Sequence, residues 1–279
     1  MKKLFILILG FFFAQLFGQG LDITVGKRPY VKADLLMENG QTKHGYLKDF
    51  LIPKFVESGI ANSFKRVESL YHYDTEIFKF KSNPDEDAQE IPLTEIKSII
   101  IVDEDGSDTM RFDKMKLKTI NSKYEIEDLN LTVMLPLQSE GKINLYGFSV
   151  LLFMERSYYS SFFFPYIKKP NEEYAYVVLD YDNMGLFNSG KIKGKFKKAF
   201  EAVTSDCTPY QPHLNNAIEK LMDKKLLKES NKERFDKKKE ARKSIKDKEM
   251  ELQILQKIDN DYNIKPYIDL IEEYGKMCS

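Results

Sequence analysis

Several residue types are scarce in this chain of 279 residues, and each scarcity excludes a class of protein. There is no tryptophan, and only two residues are cysteine and three are histidine. A disulfide-dense scaffold is therefore excluded, and the three histidines show no spacing typical of a zinc site. The 43 basic and 43 acidic residues cancel, so the chain as a whole does not favour nucleic acid or an acidic membrane surface.

Long apolar runs are also missing, apart from one at the N-terminus. Leu4–Phe17 follows Lys2 and Lys3 and precedes Gly18 and Gly20, both small. This order is typical of a secretory signal peptide, so we expect residues 1–18 to be removed and the protein to be periplasmic or secreted, with no transmembrane segment after cleavage. An uncleaved anchor is the alternative, and a lipoprotein anchor is not expected because no cysteine lies near this position.

The two cysteines, Cys207 and Cys278, are candidates for one disulfide, because an exported chain meets an oxidising environment. A single straight helix over residues 214–258 would be about 68 Å long and would keep the two thiols apart. The bond therefore requires this segment to fold back as a hairpin, and we predict the turn at Ser230-Asn231. Otherwise Cys278 is a free thiol near the end of the chain.

The chain from residue 30 to residue 182 has the patterns of a β-rich body. Residues 31–37 alternate in polarity, and Asn39-Gly40 then predicts a hairpin with residues 44–50. Further strands are predicted at 76–81, 99–102, 109–119, 129–138, 142–154, 159–167 and 174–182, with a surface loop at 83–90. Many short strands separated by turn residues predict an antiparallel sandwich or barrel-like sheet.

After Gly190 the periodicity becomes helical. Helices are predicted over residues 191–204 and from 214 to about 258, and Pro266 is expected to open a last short helix through Tyr274. The expected fold class is therefore α+β, with a β-rich domain over 19–190 followed by a helical region over 191–279 that contains a long charged helix.

This long helix carries the strongest local charge bias in the chain. Residues 220–248 hold 13 basic and 6 acidic side chains. They suggest contact with a polyanion such as nucleic acid or lipopolysaccharide through Lys237, Lys238, Lys239, Arg242 and Lys243. Nucleic acid is the less favoured polyanion, because Phe235 is the one aromatic residue nearby. The alternative is a solvated helix face supported by intrahelical ion pairs.

Two short segments resemble ligand sites but depart from them at a required position. The segment 185–191 has the spacing of a phosphate loop, yet Ile192 stands where a magnesium-binding Ser or Thr is needed. The acidic segment 103–108 offers oxygens to calcium, but Lys114 stands at the closing position of an EF-hand. We interpret both as turns, and predict no catalytic, cofactor-binding or metal-binding residue.

The aromatic run over residues 158–166 is the richest apolar patch. Alternate residues of a strand point to opposite sides of the sheet, so this run predicts burial on both sides, with one side under the helices. The alternative is a surface or cleft for an apolar ligand or partner.

Several segments resemble a group of uncharacterised exported proteins common in Bacteroidetes. The resemblance lies in Leu16–Gln19, Gly45–Leu47, Ile91–Lys97, Glu140–Tyr146 and Asp206–Cys207. It implies an exported β-rich module without an assigned activity, so no functional residue can be carried over.

These observations favour a non-enzymatic envelope or secreted protein that serves as a binding or interaction module, with another envelope protein or an apolar ligand as its partner. One alternative is an exported hydrolase whose active site has no recognisable motif. The other is polyanion binding through residues 220–248.

Overall fold

The computed structural model describes residues 30–48, 55–57, 75–102, 109–154, 157–179 and 189–278. Its strands are β1 Tyr30–Met37, β2 Thr42–Lys48, β3 Phe55–Glu57, β4 Ile77–Lys81, β5 Gln89–Pro92, β6 Ile96–Val102, β7 Thr109–Ile120, β8 Ile126–Ser139, β9 Asn144–Met154, β10 Ser157–Lys168 and β11 Tyr174–Val177. Its helices are α1 Ser189–Thr204, α2 Tyr210–Leu221, α3 Lys224–Ser244 and α4 Lys248–Met277, besides one short 3₁₀ turn, Leu93–Glu95.

The strands form one sheet that closes on itself along part of its length. Neighbouring strands from β7 to β11 pair antiparallel, and β11 also pairs in parallel with β7. The five strands β7–β11 therefore make a closed ring, and β6, β1, β2, β4 and β5 continue from β7 as an open extension. The predicted α+β class and the barrel-like form of the sheet are confirmed.

Alternation of side chains along the ring strands fills the ring interior. Buried residues at alternate positions of all five strands form one cluster, with Met115, Leu117, Val133, Leu135, Tyr146, Phe148, Phe164, Tyr166 and Ala175 as members. The rings of Phe148 and Phe164 stack with centroids 5.4 Å apart. Such burial of apolar surface is the main driving force for closing a small ring.

The helices pack on the outer face of the same strands. One cluster joins sheet residues such as Phe163 and Ile167 to helical residues such as Phe200 and Tyr267. Because Phe164 and Tyr166 lie inside the ring, the part of β10 around residues 163–167 is buried on both sides, as the aromatic run predicted. The β-rich and helical parts therefore share a core. Phe162 of the same aromatic run is 38% exposed, contrary to the prediction, and the side chains of Tyr158 and Tyr159 lie outside the described part.

Two predicted helices and the predicted turn between helices differ from the structure. The predicted helix over 214–258 is divided into α2, α3 and α4, because Asp223 and Asp247 cap new helices. Each carboxylate accepts hydrogen bonds at 2.9 Å from the second and third amides of the helix that follows it. The chain reverses at residues 245–247, whereas Ser230-Asn231 lies inside α3. Pro266 lies inside α4, where packing on both sides of it offsets the cost of its missing amide.

A disulfide joins Cys207 to Cys278, across a sequence separation of 71. The reversal between α3 and α4 returns the chain to the α1–α2 turn. Beside the bond, Asp206 accepts a hydrogen bond from the Tyr274 hydroxyl at 2.9 Å and one from Lys169 at 2.7 Å. Burial, and then the carboxylate of Asp206, raise the pKa of Tyr274 to about 12.

Several predictions fall outside the described residues: the signal peptide, the acidic turn at 103–108 and most of the phosphate-loop-like segment. Among the described helices, none combines the length and the apolar character that crossing a bilayer requires.

Breaking the disulfide tests how much it contributes to stability. A bond across 71 residues stabilises by about 4 kcal/mol on the chain-entropy account, so we expect Cys207→Ser to lower the free energy of unfolding by about that amount. Urea unfolding with and without reductant measures the difference. The variant should not respond to reductant, and an equal response in both proteins would contradict the prediction.

Gly147 tests the close approach of β9 and β10, two neighbouring strands of the ring. It has φ +146°, and a Cβ there would lie 2.1 Å from the carbonyl oxygen of Phe164. We expect Gly147→Ala to lower the free energy of unfolding by at least about 1–3 kcal/mol, because backbone must shift to admit the methyl group. Gly275→Ala, on α4, is the matched control. A Cβ there would meet no other atom within 4 Å, so this variant should be more stable by about 0.5–1 kcal/mol. Equal effects in urea unfolding would refute this account.

Candidate functional site

Three groups of charged residues stand out in the structure. One lies inside an end of the ring. One is buried between β10 and the helical hairpin formed by α3 and α4, and one is exposed along α3.

The ring-end network is centred on Asp113, which faces the ring interior. Its carboxylate accepts hydrogen bonds from the Tyr146 hydroxyl at 2.8 Å and from Arg111 at 2.8 Å. Asn144 donates to the same hydroxyl at 3.2 Å, and Arg111 also donates to Glu140 at 3.1 Å. Buried polar groups at this end of the ring therefore satisfy one another.

Lys168 lies at the same end and is nearly buried, with 8% of its surface exposed. It donates to the backbone carbonyls of Pro170 and Glu172, at 3.3 and 2.8 Å, and so holds the β10–β11 turn over the ring. Burial lowers the pKa of Lys168, and burial raises the pKa of Tyr146. The bonds of this network join β7, β9 and the β10–β11 turn at one end of the ring.

The second group, the buried ion cluster, consists of Arg234, Lys238 and Asp259. Asp259 is fully buried and accepts from Arg234 at 2.5 Å and from Lys238 at 2.9 and 3.1 Å. Arg234 also donates to the Ser160 hydroxyl of β10 at 2.7 Å. Asn263 of α4 donates to the backbone carbonyl of Ser161 at 2.8 Å.

This cluster joins α3, α4 and β10 at one point. Burial lowers the pKa of Lys238, while the carboxylate of Asp259 acts in the opposite direction. Because Arg234 and Lys238 must point inward to reach Asp259, the cluster fixes the rotation of α3 about its own axis. A small apolar core formed by Ala241 and Leu255 continues the same inward face.

The third group, the basic stripe, lies on the exposed side of α3. At 100° per residue, its seven cations fall within an arc of about 100° of the helix surface. All seven are exposed: Lys224, Lys225, Lys228, Lys232, Lys239, Arg242 and Lys243. Phe235 lies within the arc, nearer one edge, about midway along the length of the stripe, and is 59% exposed.

An acidic row occupies the neighbouring arc of α3, about 60° wide. Its members are Glu229, Glu233, Asp236 and Glu240. Three intrahelical pairs expected between the two groups do not form, since within the described residues Lys232, Lys239 and Lys243 have no carboxylate within ion-pair distance. The ion pair within α3 is Glu233–Lys237, at 2.9 Å. Most cations of the stripe are therefore available to an external anion.

The five residues predicted to contact a polyanion separate into three environments. Lys239, Arg242 and Lys243 belong to the basic stripe, although Arg242 also lies 3.9 Å from Glu251. Lys238 is buried in the ion cluster, and this removes it from any contact surface. Lys237 lies beyond the acidic row, where Tyr262 and Glu233 raise its pKa.

Sequence reasoning missed four members of the stripe: Lys224, Lys225, Lys228 and Lys232. A helical projection beginning at residue 224 would have found them, because they share one side of α3 with Lys239. When the helix start and the inward face are unknown, the sequence favours the richest run of lysines, 237–239, with Arg242 and Lys243 beside it.

No metal-binding group of three or more His, Cys, Asp or Glu residues occurs in the described ranges. Of the histidines there, His44 lies 2.7 Å from Asp34 on an exposed hairpin, and His213 stacks on Tyr210 with ring centroids 5.8 Å apart. His72 falls outside these ranges.

Removing the central carboxylate tests the ion cluster. Asp259→Asn leaves Arg234 and Lys238 buried with a weaker partner, so we expect the free energy of unfolding to fall by about 3–5 kcal/mol. Asp269→Asn is the matched control on the same helix, where the pair with Lys265 is exposed and contributes at most about 1 kcal/mol. Similar losses for both variants in urea unfolding would show that the cluster does not have this central role.

The chain matches no protein-family model, no curated protein and no solved structure.

Proposed function

We propose that the protein is a non-enzymatic binding module, exported to the periplasm or the medium, and that it binds polyanions through the basic stripe of α3. The observation that carries this proposal is the set of seven exposed cations on one arc of one helix, most of which form no ion pair with any described residue. Intrahelical pairs with the acidic row would contribute only about 0.2–0.5 kcal/mol each, so an external polyanion can compete for these cations.

The rest of the chain is suited to present this stripe rather than to add to its charge. Outside residues 220–248 there are 30 basic and 37 acidic side chains, so the remainder of the chain is net acidic. Attraction for a polyanion is therefore confined to the neighbourhood of α3. A localised basic surface on an acidic protein binds in one orientation, because the other surfaces repel the ligand.

The ring-end network and the buried ion cluster also support a non-enzymatic role. In each, the carboxylate accepts hydrogen bonds from two cationic or hydroxyl donors within the protein, at Asp113 and at Asp259. Both carboxylates therefore serve as internal hydrogen-bond acceptors. The bonds of Asp113 join strands of the ring, and those of Asp259 join α3 to α4.

Charge reversal on the stripe tests the proposal. We expect the full chain to bind at least one of heparin, polygalacturonate, polyphosphate and duplex DNA, with an affinity that falls steeply as salt rises, since counterions are released on binding. Lys228→Glu, Lys232→Glu and Lys239→Glu together should reduce the magnitude of the salt slope by about 2–3 and weaken binding at least about 100-fold at low salt.

The matched control changes the same charge elsewhere. Lys48, Lys97 and Lys123 are exposed on the β-rich body, and their triple reversal to Glu alters net charge equally. It should leave binding within about twofold of the parent, given screening over about 10 Å at 0.1 M salt. Equal loss in both triple variants would refute a role for the stripe, and failure to bind any of the four polyanions would refute the proposed function.

A further inference from the structure

We infer that the ligand of the basic stripe is a single-chain acidic polysaccharide that lies along α3. This inference rests on the proposed function and deepens it. Three features of the helix surface carry it: the width of the stripe, the spacing of its charges and the position of Phe235.

The stripe is narrow, and its borders exclude a wide polyanion. An arc of about 100° on a helix about 11 Å in diameter is about 10 Å wide. On one side lies the inward face that packs on α4, and on the other lies the acidic row of Glu229, Glu233, Asp236 and Glu240. A duplex or a planar anionic membrane laid on the stripe would also face this row, and like charges would repel. A single chain meets the stripe alone.

The charges are spaced for a chain with one charge per monomer. From Lys224 to Lys243 the stripe extends about 28 Å and holds seven cations, or one per about 4–5 Å. Duplex DNA carries one charge per about 1.7 Å, which the stripe would leave mostly uncompensated. A chain of charged sugars places one carboxylate or sulfate on each unit and matches the sparser array.

Phe235 decides between the single-chain polyanions. It is 59% exposed and lies about one turn from Lys232 and from Lys239, about midway along the length of the stripe. Single-stranded nucleic acid binds by stacking successive bases on several aromatic side chains, and the stripe has only this one. The apolar face of one sugar ring can cover Phe235, whereas inorganic polyphosphate has no apolar surface to bury there.

Binding of oligogalacturonates of increasing length to the full chain tests this inference. We expect the affinity to rise with each added unit up to about seven units, at which the ligand spans the stripe, and then to level off. Phe235→Ala should weaken binding of the heptamer about tenfold and leave polyphosphate binding unchanged. Leu226→Ala is the matched control, since Leu226 is 46% exposed on the same helix but lies beyond the acidic row.

A second variant tests the exclusion of wide polyanions. Neutralising the acidic row with Glu229→Gln, Asp236→Asn and Glu240→Gln should raise affinity for duplex DNA at least about tenfold, and that for the oligogalacturonate about threefold or less. Circular dichroism should show an unchanged helix content, since these three side chains are exposed.

The outcomes separate this inference from the proposed function. Tighter binding of duplex DNA, polyphosphate or anionic phosphatidylglycerol vesicles than of oligogalacturonate at equal salt would overturn the polysaccharide, as would a Phe235→Ala variant that binds the heptamer normally. In those cases a ligand still binds and the stripe reversals still abolish binding, so polyanion binding would stand. If none of the polyanions binds, both proposals fall.

Discussion

The carboxylate of Asp259 is fully buried between Arg234 and Lys238, and the orientation of the helical hairpin depends on it. Placing an unpaired charge in the interior costs several kcal/mol, so α3 has a single favourable rotation, in which both cations reach Asp259. Rotation by one residue would bury a stripe lysine in place of Lys238. The interaction therefore decides which lysines of a lysine-rich helix meet the solvent.

Further hydrogen bonds and a disulfide keep this arrangement in place. The hydrogen bonds of Arg234 to Ser160 and of Asn263 to Ser161 fix the hairpin on β10, a strand of the closed ring. At the far end of α4, the Cys207–Cys278 bond fixes the end of the chain on the α1–α2 turn. α4 is thus fixed to β10 near its middle and to the α1–α2 turn at its C-terminal end. Because α3 is bonded to α4 through Asp259, it cannot slide or rotate without breaking a buried contact, and the stripe therefore has a defined position on the protein.

The sequence was informative where structure is local. Alternating polarity and apolar runs located most of the strands, and Asn39-Gly40 located the first hairpin, because side chains in a strand follow a period of two. The short strands β3 and β5 were not predicted, and β5 begins at Gln89, inside the segment predicted as a surface loop. It did not reveal that β11 pairs in parallel with β7, since the closing strands are separated by almost sixty residues and no local signal specifies their contact.

The hairpin turn shows the same limit within the helices. Ser230-Asn231 and Asp247 are both residues that favour helix ends, and local propensity does not choose between them. Tertiary packing chooses: a turn at residues 245–247 aligns Arg234 and Lys238 with Asp259, and Ala241 with Leu255. For the same reason the sequence grouped Lys237, Lys238 and Lys239 as one contact surface, although only the last of them lies on the stripe.

The basic and acidic side chains that cancel in the net charge are segregated on the surface of α3 rather than evenly mixed. On α3 the basic stripe and the acidic row lie side by side, and an intrahelical pair between them would contribute only about 0.2–0.5 kcal/mol. Leaving the stripe lysines unpaired therefore costs the fold little, while the buried ion cluster and the apolar contacts of Ala241 hold the helix. Because stability and surface charge reside in different arcs of the same helix, the stripe can be altered without unfolding the protein, and a loss of binding in such variants reports on contact with the ligand.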